Sequence, residues 1–311
     1  MSDLLNALPP DPIYDRREQI RAITAKTLRR RTRLSQLFVG AISTTLVIAL
    51  VPLVLVLYTI VQRGGSDLTL AFVTKLPQVP TIGHQNAIGG IGNAIVGTLI
   101  VAAMAAAMAI PLSLILGLYL VEMNTRLSRI FRGSVEILSG IPSILLGVFA
   151  YIFIVIPQHH FSAFAASVAL ALLMAPVITK AVETAIRGVP DTVTEAGLAL
   201  GARRSVVARR VVLPAARPGI ITGTLLALAR AMGETAPLLL IIGATYSSTW
   251  DLDPFRPMSA LTTLTYSYSS SSFPSQHRAA WGVALVLVLL VLILNVTSRL
   301  ISARLSRRAQ A

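Results

Sequence analysis

Residues 36–61 of this chain pass without a single charged side chain, and apolar runs of comparable length recur at 92–120, 134–156, 161–187, 214–244 and 279–301. About 20 apolar residues in a helix cross the roughly 30 Å of hydrocarbon in a bilayer, so the recurrence fixes the solvent as lipid. In lipid every backbone group must find its partner inside the protein, and these helix-compatible runs define an all-α integral membrane protein. The composition agrees, with 54% hydrophobic and 13% charged residues and a mean hydropathy of +0.74. A net charge of +14 and a pI near 11.2 raise the question of nucleic acid. The arginines, however, stand beside the apolar runs, where they set orientation, so no nucleic-acid role is expected. Without cysteine, neither disulfide nor thiolate chemistry is available.

Taken in order, the chain starts with a basic segment, 1–35, ending in Arg29, Arg30, Arg31 and Arg33. The run at 36–61 is too long for a signal-peptide core and reads as an uncleaved first span. Residues 62–91 carry Gly64, Gly65, Pro77 and Pro80 and read as an extracytoplasmic loop or short surface helix. The core, 92–311, holds spans two to six. Span two contains Pro111, where a tilt or kink is expected; span three contains Pro142 and opens with Glu136, read as a cap or a partner for a nearby arginine. Gln158, His159 and His160 make a tight connection to span four, which passes Pro176. Residues 245–278 form a Ser-, Thr- and Tyr-rich loop with Trp250 near one end, and Trp281 follows it as a second interface anchor. If the N-terminus is cytoplasmic, every arginine-rich segment falls inside and the remaining loops carry only Arg63, Lys75, Arg256 and Arg278. That asymmetry supports six spans with both termini cytoplasmic. The alternative is that one run is re-entrant.

Between spans four and five lies a basic, polar island, 188–214. Thr192 and Glu195 have capping-box spacing, which predicts a helix starting there. Gly201 suits its left-handed close, Ser205 suits the cap of a second helix, and Pro214 is expected to hold Leu213 out of helical geometry. Glu195, Ala196, Gly197, Gly201, Leu213 and Pro214 together resemble the EAA loop of ATP-binding-cassette (ABC) importer permeases, with Gly197 where that family usually has a second alanine. The resemblance implies a type I importer permease of six transmembrane helices, whose loop docks on a separate ATPase. In keeping with it, the sequence has no Gly-x-x-x-x-Gly-Lys-Ser/Thr to cradle phosphates. ATP and Mg are therefore expected in a partner, with no cofactor bound by this chain and no enzymatic activity of its own.

Span five places Arg230 about midway along an apolar helix, where a charge costs on the order of 2.5 to 3.5 kcal/mol. Glu234, at i+4, shares its face and can neutralise it. The competing reading is a buried ion pair that locks the bundle and touches no substrate. Lys180, one turn beyond Pro176 in span four, adds a second cation, with Glu183 a turn away as a possible partner. Should Lys180 and Arg230 face one pathway, the surplus positive field suits an oxyanion. Lys180 can instead snorkel to the cytoplasmic interface.

Arg230, Gly233, Glu234, Thr235, Ala236 and Pro237, with the stretch from Gly89 to Thr98, closely resemble phosphate-specific importer permeases of the PstA type. The likeness runs from about residue 62 to the C-terminus. It implies that Arg230 and the span-four cation, here Lys180 in place of arginine, are associated with phosphate passage. It also implies a second permease (PstC type), two ATPase subunits (PstB type) and an extracytoplasmic phosphate-binding protein (PstS type), in a bacterial inner membrane. Sulfate or molybdate could use the same path, and a membrane sensor or scaffold without transport is the reading from another class. His84, His159, His160 and His277 show no metal-ligand spacing. Gly219 and Gly223 permit close helix packing, and the run from Ser269 to Ser272 reads as a flexible loop tip.

Overall fold

A computed structural model describes residues 12–78, 89–123, 125–243 and 249–310. Pro80, His84 and the end of span five at Ala244 lie outside the described residues, as do the side chains of Arg304, Arg307 and Arg308. Among the described residues the chain is helical, with two isolated bridges, Pro77 to Gly89 and Gly243 to Met258. It divides into two compact units at Thr59 and Ile60.

The first unit contains most of α1 (Pro12–Gly64), a continuous helix that joins the basic segment to the first span. Its apolar side chains from Leu37 to Leu57 are exposed, as a lipid-facing helix requires. Thr44 and Thr45 donate back to the carbonyls of Gly40 and Ala41, both at 2.9 Å, so neither hydroxyl needs water.

In the second unit α2 (Leu70–Thr74) is capped by Thr69, whose hydroxyl accepts from the Phe72 amide at 3.2 Å. The second span is α3 (Gly92–Glu122), with Pro111 inside it. Span three departs from the expected single helix. It is α4 (Arg126–Gly140), then α5 (Ser143–Ala150), a π turn (Tyr151–Val155) and α6 (Ile156–Gln158), with a bend of 103° between α4 and α5. Pro142 is the cause: it holds Ile141 extended at ψ 130, and the helix must stop. Glu136 lies exposed inside α4 with no ion pair among the described residues, so it is neither a cap nor an arginine's partner. His159 takes the left-handed conformation that closes α6.

Span four is α7 (Ala163–Arg187), started by the Ser162 cap. Small residues let it lie against α3: a Cβ on Gly117 would fall 2.6 Å from a Val182 methyl, and the buried Ser113 hydroxyl donates across to the Ala175 carbonyl at 3.0 Å. After α8 (Asp191–Ala199), α9 (Arg204–Val207) runs through a π turn (Ala208–Val212) into α10 (Leu213–Met232). Span five does not continue to residue 244 as one helix. It breaks at Gly233, Glu234 and Thr235 before α11 (Ala236–Ile241), because Pro237 has no N–H to give and its ring would meet the carbonyl four residues back.

The expected loop at 245–278 contains α12 (Leu261–Ser269), a helix whose first turn is buried, and the last helix, α13 (Pro274–Gln310), begins before residue 279. Ser269 ends α12 rather than opening a free loop tip. Thr98 of α3 explains why α12 can start inside the protein: its hydroxyl accepts from the orphan Leu261 amide at 2.9 Å and donates to Ala94 at 2.7 Å. Among the described residues, five helices are long and apolar enough to cross a membrane, and the bent α4–α5 pair makes six if it is one span.

Candidate translocation and coupling site

The polar island folds as α8, a turn and α9. Its start differs from the expected capping box: Pro190 is the N-cap, without a side-chain hydrogen bond, and α8 begins at Asp191, ahead of Thr192. Proline already satisfies the entry geometry, and the Asp191 carboxylate in the first turn complements the helix dipole. Glu195 and Ala196 are exposed on α8. Gly197 faces inward, where an added Cβ would sit 3.0 Å from both Val207 methyls, so a small residue is needed there to seat α8 on α9. Gly201 closes the element with φ +78, as expected.

Two expectations fail beyond that turn. Ser205 lies inside α9, whose N-cap is Arg203, so it is not the cap. Leu213 is helical, at φ −63 and ψ −42, although Pro214 follows it. A π turn at Ala208–Val212 stands directly before the proline, and its wider winding leaves room for the ring and the missing N–H. Leu213 and Pro214 are thus the first residues of α10, and the island passes into span five without a joint.

Sequence reasoning missed Leu198 and Leu200. They are 41% and 89% exposed at the tip of the island, where a charged loop has no need of leucine. The available signal was the apolar pair flanking Ala199 just before the closing glycine. Also missed were the ion pairs at the island and at the end of α7 that leads into it. Arg204 Nε donates to Glu122 Oε2 of α3 at 3.0 Å, and Glu183 Oε1 accepts from both Arg132 of α4 and Arg187 of α7, each at 2.9 Å. Glu183 is therefore not the partner of Lys180. Lys180 is exposed on α7 and has no hydrogen bond or ion pair among the described residues.

Arg230 occupies the last turn of α10, where the partial negative charge of a helix C-terminus favours a guanidinium. Glu234 does not share a helix face with it, since the helix ends at Met232; it approaches from the break, with Oε1 3.9 Å from Arg230 Nε. The arginine is 61% exposed and the glutamate 20% exposed, so the pair is not buried in a packed core. Both Nη groups of Arg230 are without a partner among the described residues.

The helices that carry the two cations are held close by glycine. A Cβ on Gly219 would lie 2.8 Å from Ala185 Cβ, and one on Gly223 would lie 2.2 Å from Ala181 Cβ. That antiparallel register sets Lys180 level with Thr224, six residues before Arg230, or about 9 Å along the helix axis. Lys180 and Arg230 are not in contact. Each lies on an exposed stripe of its helix, Lys180 with Thr184 and Arg187, Arg230 with Thr222 and Leu226.

Residues 109–310 match the family described as binding-protein-dependent transport system inner membrane component. The chain is similar to the phosphate transport system permease protein PstA 1 of Mycobacterium tuberculosis, 38% identical over 285 residues, covering 91% of this chain and 92% of that protein. It is also similar to the probable phosphate transport system permease protein PstA of Methanocaldococcus jannaschii, 34% identical over 282 residues, covering 89% and 96%. Among solved structures it shares the fold of the inward-facing MetNI methionine ABC transporter, with a TM-score of 0.57 at 24% identity over 68% of this chain and 96% of that one. Components of such systems work with ATPase and substrate-binding partners, and the chain is a multi-pass inner-membrane translocation subunit rather than an enzyme. The chain belongs to the binding-protein-dependent transport system inner membrane component family and, within it, to the PstA-type permeases.

Proposed function

We propose that this chain forms half of the translocation pathway of an ATP-driven importer of inorganic phosphate, with Arg230 as the anion contact and residues 188–214 as the coupling segment. The observation that carries the reading is the Arg230 guanidinium: exposed on its span, held at one nitrogen by Glu234 at 3.9 Å, with both Nη groups unpartnered among the described residues. Two parallel N–H groups fit two phosphate oxygens, a match that ammonium lacks. Glu234 cancels part of the charge. A transporter needs that, because an anion held too tightly does not leave. Lys180, about 9 Å away along the bundle, contributes a second positive charge without a fork of its own.

The assembly comprises a second permease of PstC type, two ATPases of PstB type that use Mg and ATP, and a phosphate-binding protein of PstS type. Both termini and the 188–214 segment are cytoplasmic, and 62–91 is extracytoplasmic. The exposed leucines at 198 and 200, with Glu195 and Ala196 beside them, form the face that seats in an ATPase cleft. ATPase closure then turns α9 and α10 as one lever, since no loop separates them. In proteoliposomes holding the full assembly, Arg230→Gln should cut phosphate uptake roughly tenfold or more, the loss of one charge-assisted contact, while leaving the complex intact. Unchanged uptake removes Arg230 from the path, and equal competition by sulfate or molybdate removes the selectivity for phosphate.

A further inference from the structure

An apolar groove with a basic end lies away from the proposed pathway, where the end of α3 meets the start of α9. The groove, of about 480 Å³, is walled by Ile115, Leu118, Tyr119 and Met123 and closed at one end by Arg204 and Arg209. Ile115 and Met123 are 71% and 50% exposed, and Leu112, one turn earlier, continues the same apolar track. From Leu112 to Met123 the track is about 16 Å long. Its charged end coincides with the ends of two candidate spans, at Glu122 and at Arg204, and so with the boundary between hydrocarbon and water.

The charges at that end are unequal. Glu122 is committed to Arg204 at 3.0 Å, whereas Arg209 has a single long contact, Nε to the Ser205 carbonyl at 3.5 Å, and both its Nη groups are unpartnered among the described residues. The groove therefore carries one net positive charge above a trough that fits a hydrocarbon chain. A soluble anion has no use for the trough, and a neutral lipid has no use for the arginine.

We propose that this groove binds one molecule of an anionic phospholipid, its acyl chain along Leu112, Ile115 and Met123 and its phosphodiester on Arg209. The lipid bridges α3 to α9 beside the Glu122 to Arg204 ion pair, at the point where the coupling segment enters span five. Its occupancy thereby couples membrane composition to the seating of that segment.

The test uses the assembled complex in nanodiscs of phosphatidylglycerol mixed with phosphatidylcholine, extracted and weighed by native mass spectrometry. Wild type should retain phosphatidylglycerol in preference to phosphatidylcholine, and Arg209→Gln should weaken retention about tenfold, as for one charge-assisted contact. Ile115→Glu, which spoils the trough without touching the arginines, should lower it as well. Arg210→Gln, on the neighbouring exposed arginine outside the groove, should leave it unchanged. Equal loss from Arg210→Gln would mean diffuse surface charge and overturn the proposal. So would equal retention of phosphatidylcholine, or displacement of the lipid by millimolar inorganic phosphate.

Discussion

Arg230 is accommodated in an apolar span by three local arrangements: the negative end of α10, the carboxylate of Glu234 at 3.9 Å, and exposure on an outward stripe. No single one of them neutralises it, as the proposed role of anion contact requires. Glu234→Gln should therefore tighten anion binding while slowing release, seen as a lower KM for phosphate with reduced maximal uptake. Lys180→Arg should support uptake at least as well as lysine, since it restores the fork, whereas Lys180→Gln should lower it; equal uptake by both would sink Lys180 as a pathway residue. Glu183 serves another purpose, because it holds two arginines from different helices. Glu183→Gln should destabilise the purified complex by about 1 to 3 kcal/mol, read as a lower unfolding temperature. The sequence placed Glu183 beside Lys180 by spacing alone. Only the approach of α4 could reveal that Arg132 claims it.

At the scale of elements, the proposed coupling segment, 188–214, depends on one backbone conformation and one close contact. Gly201 has φ +78, and Gly201→Val should cost about 1 to 2 kcal/mol locally. The consequence should be weakened ATPase co-purification, with the spans still inserted. Leu200→Asp should weaken the same association without any backbone change, since the side chain is 89% exposed. Gly223→Leu acts elsewhere: its Cβ would start 2.2 Å from Ala181 Cβ, and the displacement of α10 from α7 should cost about 1 to 3 kcal/mol and reduce assembled complex on a sizing column. The Gly201 turn and the closeness of Gly219 and Gly223 to a neighbour were legible because glycine has few other uses at such positions. The start of α8 was not, because Pro190 and Thr192 both make acceptable first residues and the outcome depends on how the chain leaves α7.

For the whole molecule, six runs yielded, among the described residues, five candidate spans and one bent pair. Because the chain has no cysteine, its topology can be mapped by single substitutions. Ser66→Cys and Ser270→Cys should react with an impermeant thiol reagent added outside, and Ala199→Cys only after permeabilisation; the reverse pattern would invert the assigned orientation. The sequence by itself determined the solvent and the helical class and located the apolar runs, since hydrophobic length is a local quantity that lipid reads directly. It also identified Arg230 and the polar island, whose residue types are out of keeping with their surroundings. The tertiary structure decided where helices break, at Pro142 and Pro237 but not at Pro111, Pro176 or Pro214. It decided too that the first turn of α12 is buried under the Thr98 hydroxyl, and which carboxylate serves which arginine. A proline removes one hydrogen bond wherever it stands. Whether the helix stops, widens or continues depends on what neighbouring helices offer to the groups that are freed.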